Sequence, residues 1–159
     1  MAEPHVFLSF GGNLGNASAT IAEALNRLDA HGARIIRRSS DYVTPPWGKL
    51  DQPDFVNACA EIATHLTSLD LLRLCLGIER SLGRERHEKW GPRTIDIDLI
   101  CRGNEKVHLP DLTLPHPRLF ERAFVLIPLL EIAPDLVVDG RSIAETARRI
   151  PAQDIKRRA

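Results

Sequence analysis

Two periods organise the apolar positions of this chain. Over about residues 54–64, Val56, Ala58, Ala60 and Ile62 alternate with Phe55, Asn57, Cys59 and Glu61, the spacing of a strand with two distinct faces. From Ser68 onward, Leu71, Cys75, Ile78 and Leu82 fall at i, i+4, i+7 and i+11, the stripe of an amphipathic helix that Ser68 caps and Gly83 ends. A first strand is predicted over about residues 5–10 and stops at Gly11-Gly12-Asn13-Leu14-Gly15-Asn16, whose glycines and asparagines suit a tight turn. Asn16 or Ser18 caps a helix reaching about residue 30, with Ile21, Leu25 and Leu28 at helical spacing. A strand over about residues 34–43 carries Ile35 and Ile36 and ends at Pro45-Pro46, which cannot extend a ladder. After a charged stretch at 84–92 comes a strand at about 94–101, then loops, a Pro-His-Pro turn at 115–117, an apolar segment at 124–130 and a short helix near 142–149.

The order β, α, β, β, α, β, with two consecutive strands flanking a wide loop at 45–53, predicts an α+β fold of ferredoxin-like type, a largely antiparallel sheet with helices packed on it. The 159 residues fit one domain, spanning 1–159, against a prior of about 150 per domain. No internal repeat interrupts that reading.

Charge narrows the function classes. The 21 basic and 21 acidic side chains cancel, which argues against bulk electrostatic capture of nucleic acid or an acidic membrane. Of the 21 bases 17 are Arg, the side chain that forks onto carboxylate or phosphate with two bonds at once. Cys59, Cys75 and Cys101 lie far apart without a C-x-x-C pair, as expected of buried, reduced thiols in a cytoplasmic protein. The first ten residues lack a leader pattern and no apolar run reaches membrane-spanning length, so the expected location is the cytosol.

The strongest chemical signal is Ile95-Asp96-Ile97-Asp98-Leu99. On a strand, Ile95, Ile97 and Leu99 share the core face while both carboxylates point together to the other. Two such oxygen ligands suit Mg²⁺, which takes one or two protein carboxylates and completes its octahedron with water and phosphate. An edge strand with a solvated outer face gives the same alternation. Near it stand Arg84, Arg86, Lys89 and Arg93, with Trp90 among them. Bases flanking an acid pair match metal-assisted phosphoryl transfer, in which cations clamp the phosphate charge. A solvated loop pairing internally with Glu85 and Glu88 has the same composition.

A second constellation is Thr44-Pro45-Pro46-Trp47, followed by Asp51-Gln52-Pro53-Asp54-Phe55-Val56-Asn57. Its prolines hold the loop stiff, which lowers the ordering cost of binding. Phe55 and Asn57 share a strand face, so a ring can stack on a flat heterocycle while an amide meets its edge. Equally, Phe55 serves as a core aromatic and Asn57 as a turn-side amide. Residues 11–16 match neither phosphate-loop pattern and shape a turn. His116, between prolines, is either structural or, with Arg118 and Arg122, part of an anion site.

Together these runs resemble the 6-hydroxymethyl-7,8-dihydropterin pyrophosphokinase family of folate biosynthesis. The resemblance extends from Phe7 to about Val138 and rests chiefly on Trp90-Gly91-Pro92-Arg93-Thr94-Ile95-Asp96-Ile97-Asp98, Leu114-Pro115-His116-Pro117-Arg118, Asp51 to Asn57 and Gly83-Arg84-Glu85-Arg86. It implies transfer of the terminal diphosphate of ATP to the hydroxymethyl oxygen of the dihydropterin, with release of AMP. By the same motifs, Asp96 and Asp98 hold two Mg²⁺ ions, and Arg84 and Arg93 stabilise the moving diphosphate. Arg86, His116 and Arg122 bind ATP phosphates or ribose, and the backbone near Leu99 and Thr113 seats adenine. Phe55 and Phe124 sandwich the pterin, Thr44, Asn57 and the backbone of the Pro45-Pro46-Trp47 loop read its edge, and Trp90 lies on a closing loop. The expected partners are the small-molecule substrates ATP and the dihydropterin, without nucleic acid or membrane, and the expected state is a monomer.

The chain departs from the family pattern in places. Lys89 replaces an arginine, keeping the charge without the fork. Leu76 stands where some members have a glutamine, Asp111 where some have an arginine, and Gly11-Gly12 where Gly-Ser is usual. A non-catalytic nucleotide- or pterin-binding relative is the first alternative, and an RNA-binding sheet, lacking the interleaved aromatic and basic motif, the second.

Overall fold

The computed structural model describes residues 4–45, 51–83, 94–150 and 154–158. Its centre is an antiparallel pair, β1 (His5–Gly12) and β4 (Phe55–Ala63), in continuous register from His5↔Ala63 to Gly12↔Val56. On the far side of β1 lies β5 (Asp96–Cys101). The free edge of β4 is covered end to end by β2 (Arg34–Arg38) and β3 (Tyr42–Thr44), and a two-residue strand near the C-terminus, β10 (Lys156–Arg157), pairs with β3. The ladder order β2/β3, β4, β1, β5 is the ferredoxin-like arrangement expected from the order of elements.

Where one strand was expected over 34–43, two form. Ser39 interrupts the ladder: its N–H donates to the Cys59 carbonyl at 2.8 Å, while its side-chain Oγ, in place of a backbone carbonyl, accepts the Cys59 N–H at 2.9 Å. A serine hydroxyl competing for a backbone partner is the physical reason for the break.

Helix α1 (Ala17–Ala30) is capped by Asn16, whose Oδ1 accepts from Ala19 N–H at 3.1 Å. Helix α2 (Ser68–Ser81) is capped by Thr67 and not by Ser68, because Ser68 has already entered the helix and turns its hydroxyl to Glu105. Gly83 follows α2 at φ +91°, a conformation that favours glycine. Both helices pack their apolar stripes on the face formed by Val6, Leu8, Phe10, Val56, Ala58, Ala60, Ile62, Ile97 and Leu99.

The opposite face is covered by α3 (Ala123–Ile132), preceded by a 3-10 turn at Leu119–Glu121, and by α4 (Ile143–Arg149). The apolar segment at 124–130 is thus helical. Its Val125, Leu126, Leu129 and Ile132 join Cys59, Ile100 and Cys101 in a second core. Ile100 reaches this second core by the ordinary alternation of the strand, and a register shift near Phe7/Leu8 turns Cys101 to the same side, whereas Leu99 remains in the first core. Two small hairpins, β6 (Val107–Leu109) with β7 (Leu112–Leu114) and β8 (Val137–Val138) with β9 (Arg141–Ser142), complete the described elements. Among the described residues, no helix is long and apolar enough to cross a membrane.

Candidate active site

The pleat places the acid pair. Ile95, Ile97 and Leu99 are almost fully buried toward α1 and α2, so Asp96 and Asp98 project together from the other face and both are partly exposed. Register then sets their neighbours. Asp96 lies opposite Gly11, Gly11 opposite Asn57, and Asn57 opposite Tyr42, a row of four residues across β5, β1, β4 and β3. Asp96 and Asn57 are two strand spacings apart, about 10 Å, with only a glycine between them. That leaves a flat floor with a carboxylate at one end and an amide at the other.

The amide end is fixed by hydrogen bonding. Asn57, 4% exposed, donates from Nδ2 to Thr44 Oγ1 at 3.0 Å, and Thr44 is equally buried. Phe55 shares this strand face and pairs in register with Thr44. The first turn of α3 crosses above it: Cys59 Sγ lies 3.5 Å from the Val125 carbonyl oxygen, which brings the helix turn carrying Phe124 over β4. Asn13, 3% exposed, donates from Nδ2 to Gln52 Oε1 and to the Pro53 carbonyl, both at 2.9 Å. The glycine-rich turn is thereby tied to the segment leading into Phe55.

At the acid end, Arg122 precedes α3 and reaches Asp98, with Nη1 3.9 Å from Oδ2. Its guanidinium also stands 5.6 Å from the centre of the Phe124 ring. His116 is anchored to β5 by its backbone N–H, which donates to the Ile100 carbonyl at 2.7 Å, and its Nδ1 accepts from Arg118 N–H at 3.1 Å. Burial, then the positive charges of Arg122 and Arg118, push the imidazole down to about 4. His116 is therefore neutral at neutral pH, a donor through Nε2 and not a cation.

Other candidates are placed less directly. Thr113 lies in β7 opposite His108. The Leu99 side chain is in the first core, so anything it offers a ligand is backbone. Pro45 is exposed at the end of β3, as are Leu76 and Asp111 elsewhere. Arg84, Arg86, Lys89, Trp90 and Arg93, together with Pro46 and Trp47, lie outside the described residues. The thiols offer no nucleophile: all three are free and buried, and burial raises Cys75 and Cys101 to about 12 and Cys59 further.

One residue that sequence reasoning passed over is Glu79. It is 3% exposed, and its Oε2 accepts the N–H of Ile97, the residue between the two aspartates, at 2.6 Å. A signal was present, since Glu79 sits eight residues after Leu71 on the buried stripe of α2, where a carboxylate needs a specific partner. A cleft of about 670 Å³ bordered by His5, Phe7, Leu66, Cys101 and Arg102 opens at the other end of β1 and β5 and contains none of the candidate residues.

Among the described residues, no three His, Cys, Asp or Glu side chains gather as a closed metal cage. Two part-exposed carboxylates on one face nevertheless fit Mg²⁺, which keeps several waters and uses few protein ligands.

The sequence profile of the family described as 7,8-dihydro-6-hydroxymethylpterin-pyrophosphokinase (HPPK) matches residues 7–134. A 2-amino-4-hydroxy-6-hydroxymethyldihydropteridine pyrophosphokinase of Methylorubrum extorquens is 47% identical over 152 residues, 95% of this chain and 96% of its own. One of the same name from Pseudomonas aeruginosa is 40% identical, covering 96% and 95% of the two chains. The folic acid synthesis protein fol1 of Pneumocystis carinii is 40% identical over 95% of this chain but only 21% of its own length. Among solved structures, an HPPK-DHPS in complex with substrates superposes with a TM-score of 0.75 at 15% identity, over 93% of this chain and 43% of that one. Wild-type HPPK-DHPS of Plasmodium falciparum gives a TM-score of 0.71 at 16% identity, over 92% and 41%.

Proposed function

The chain belongs to the 7,8-dihydro-6-hydroxymethylpterin-pyrophosphokinase family and is a pyrophosphokinase of folate biosynthesis, and we propose that it performs the reaction as one Mg²⁺-dependent catalytic domain using ATP. The hydroxymethyl oxygen of 6-hydroxymethyl-7,8-dihydropterin attacks the β-phosphorus of ATP. The bond from that phosphorus to the oxygen bridging the α-phosphate breaks, AMP leaves with the electron pair, and the alcohol proton passes to water. The observation that carries the assignment of residues is the single row from Asp96 across Gly11 to Asn57, with Arg122 at the acid end.

In this reading Asp96 and Asp98 would hold two Mg²⁺ ions, whose charge would offset that of the phosphates and lower the pKa of the alcohol. The remaining work belongs to the chain. Asn57 and Thr44, with the backbone of the Pro45-Pro46-Trp47 loop, read the hydrogen-bonding edge of the pterin, while Phe55 and Phe124 take its faces. Arg122 and neutral His116 hold phosphate or ribose oxygens, and Arg86 adds a further charge. The backbone near Leu99 and Thr113 receives adenine. Arg84 and Arg93 stabilise charge on the moving diphosphate. Trp90 closes over the reactants and excludes water, which strengthens every arginine contact. We further infer a monomer working in the cytoplasm.

The test is AMP release from ATP and 6-hydroxymethyl-7,8-dihydropterin with saturating Mg²⁺, then with Mg²⁺ chelated. AMP and diphosphorylated pterin should form in equal amounts in the first case and not in the second. Tight binding of both ligands without product would leave a binding protein and sink the catalytic reading.

A further inference from the structure

Glu131 closes the last full turn of α3, and its carboxylate gathers partners from two other segments. Oε1 accepts the Tyr42 hydroxyl at 2.7 Å and the Ser40 N–H at 3.0 Å; Oε2 accepts the Ser40 N–H at 3.1 Å and the Ser40 hydroxyl at 3.1 Å. From the C-terminal segment, Arg157 donates through Nε to Ser40 Oγ at 2.8 Å and brings Nη2 to 3.7 Å from Glu131 Oε2. The backbone of that segment joins in, since Lys156 and Arg157 pair with Val43 and Tyr42, and Arg158 N–H donates to the Asp41 carbonyl at 2.8 Å. Burial alone would raise Glu131, but the bonds from Tyr42 and Ser40 and the charge of Arg157 hold it below the usual carboxylate range. Tyr42 is pushed up to about 12, by burial first and then by Glu131. The carboxylate and the phenol therefore keep these forms throughout the neutral range.

This network bears on the pterin end of the site. Strand β3 has only three residues, too short to be held firmly by one ladder. Tyr42 and Thr44 point to the same face of it, and Tyr42 lies opposite Asn57, whose amide bonds Thr44. Glu131 lies seven residues after Phe124, two helical turns and about 10 Å along α3. One carboxylate thus fixes the strand that carries the edge-reading Thr44 to the helix that carries Phe124. Helix α3 is itself anchored by Val125, Leu126, Leu129 and Ile132, so loss of the network frees β3 and leaves Arg122 in place.

Building on the reading above, we propose that Glu131, with Arg157 of the C-terminal strand, is a positioning residue that sets the distance between Thr44 and Phe124 and so the affinity for the dihydropterin but not for ATP. Dissociation constants for 6-hydroxymethyl-7,8-dihydropterin and for a non-hydrolysable ATP analogue are measured in Glu131→Ala, Glu131→Gln, Arg157→Ala and Arg157→Lys. Glu131→Ala should weaken dihydropterin binding roughly tenfold, Glu131→Gln less, and Arg157→Ala about threefold, with Arg157→Lys close to wild type and the ATP analogue within twofold throughout. The exposed Arg157 variants keep the question open to measurement should Glu131→Ala fold poorly. Equal losses for both ligands, or no loss for the dihydropterin, would overturn the proposal. Amide exchange at Val43 and Thr44 without ligand separates it from the parent reading. Faster exchange in Arg157→Ala is expected, and unchanged protection would refute the clamp. Wild-type protein that binds no dihydropterin would instead overturn the functional reading.

Discussion

A Cβ added to Gly11 would stand 3.0 Å from Oδ1 of Asn57, so the bare backbone at one position fixes where the amide at the other can lie. The two residues are register partners on β1 and β4, and Asp96 is the partner of Gly11 on the other side. Glycine matters here for space, since a Cβ would press on the Asn57 amide oxygen, and not for an unusual backbone conformation.

Gly11→Ala is therefore expected to swing the Asn57 amide and strain its bond to Thr44. A displaced buried hydrogen bond costs about 1 kcal/mol, so the KM for the dihydropterin should rise about fivefold with kcat and the KM for ATP little changed. Steady-state kinetics with each substrate varied in turn will check this. A mutant that loses ATP affinity equally would mean the floor serves both ligands.

Asp96→Ala and Asp98→Ala should each lower AMP formation by about 10²–10³ or more, the scale for removing one group that balances developing charge. Neither should unfold the protein, since both side chains are partly exposed. The part-exposed pair of Asp98 with Arg122, long at 3.9 Å, contributes less than about 1 kcal/mol to stability. Near-normal turnover in either variant, with a native melting profile, would contradict the metal assignment.

Glu79→Ala removes the buried acceptor of the Ile97 N–H and leaves that donor without its carboxylate. A destabilisation of about 1.5–3 kcal/mol is expected, or a Tm lower by roughly 3–12 °C for a chain of this size. Turnover should fall further than stability predicts, because Ile97 sits between the two aspartates. Calorimetry alongside AMP release at a temperature where the variant is folded separates the two effects.

His116 imposes a pH dependence on stability. Its folded value of about 4 lies below the ordinary 6.5, so between those values the unfolded chain holds more protons than the native one. Stability contributed by the neutral ring is present above pH 6.5 and is lost as pH falls toward 4. Thermal midpoints of wild type and His116→Gln across that window should converge toward acid, with the wild type losing more. Parallel curves would show that the ring is not buried in its neutral form.

Most of the sheet was legible in the chain because its strands obey a local rule. The alternation in residues 55–63 separated Val56, Ala58, Ala60 and Ile62 from Asn57 and Cys59, and the two sets do lie in different layers. The helical spacing of Leu71, Cys75 and Ile78 marked the buried face of α2 in the same way. The break at Ser39 was not legible, since a strand-like run of residues does not reveal which side chain will take a place in the ladder.

Periodicity alone put both aspartates on one side of a strand, because neighbours two apart in a pleated chain must share a face whatever surrounds them. What stands beside them was decided only by the tertiary structure. Glu79 meets Ile97 across 18 residues, Arg122 meets Asp98 across 24, and Glu131 meets Tyr42 across 89. Such contacts depend on how layers stack and registers align, and no local spacing carries that information.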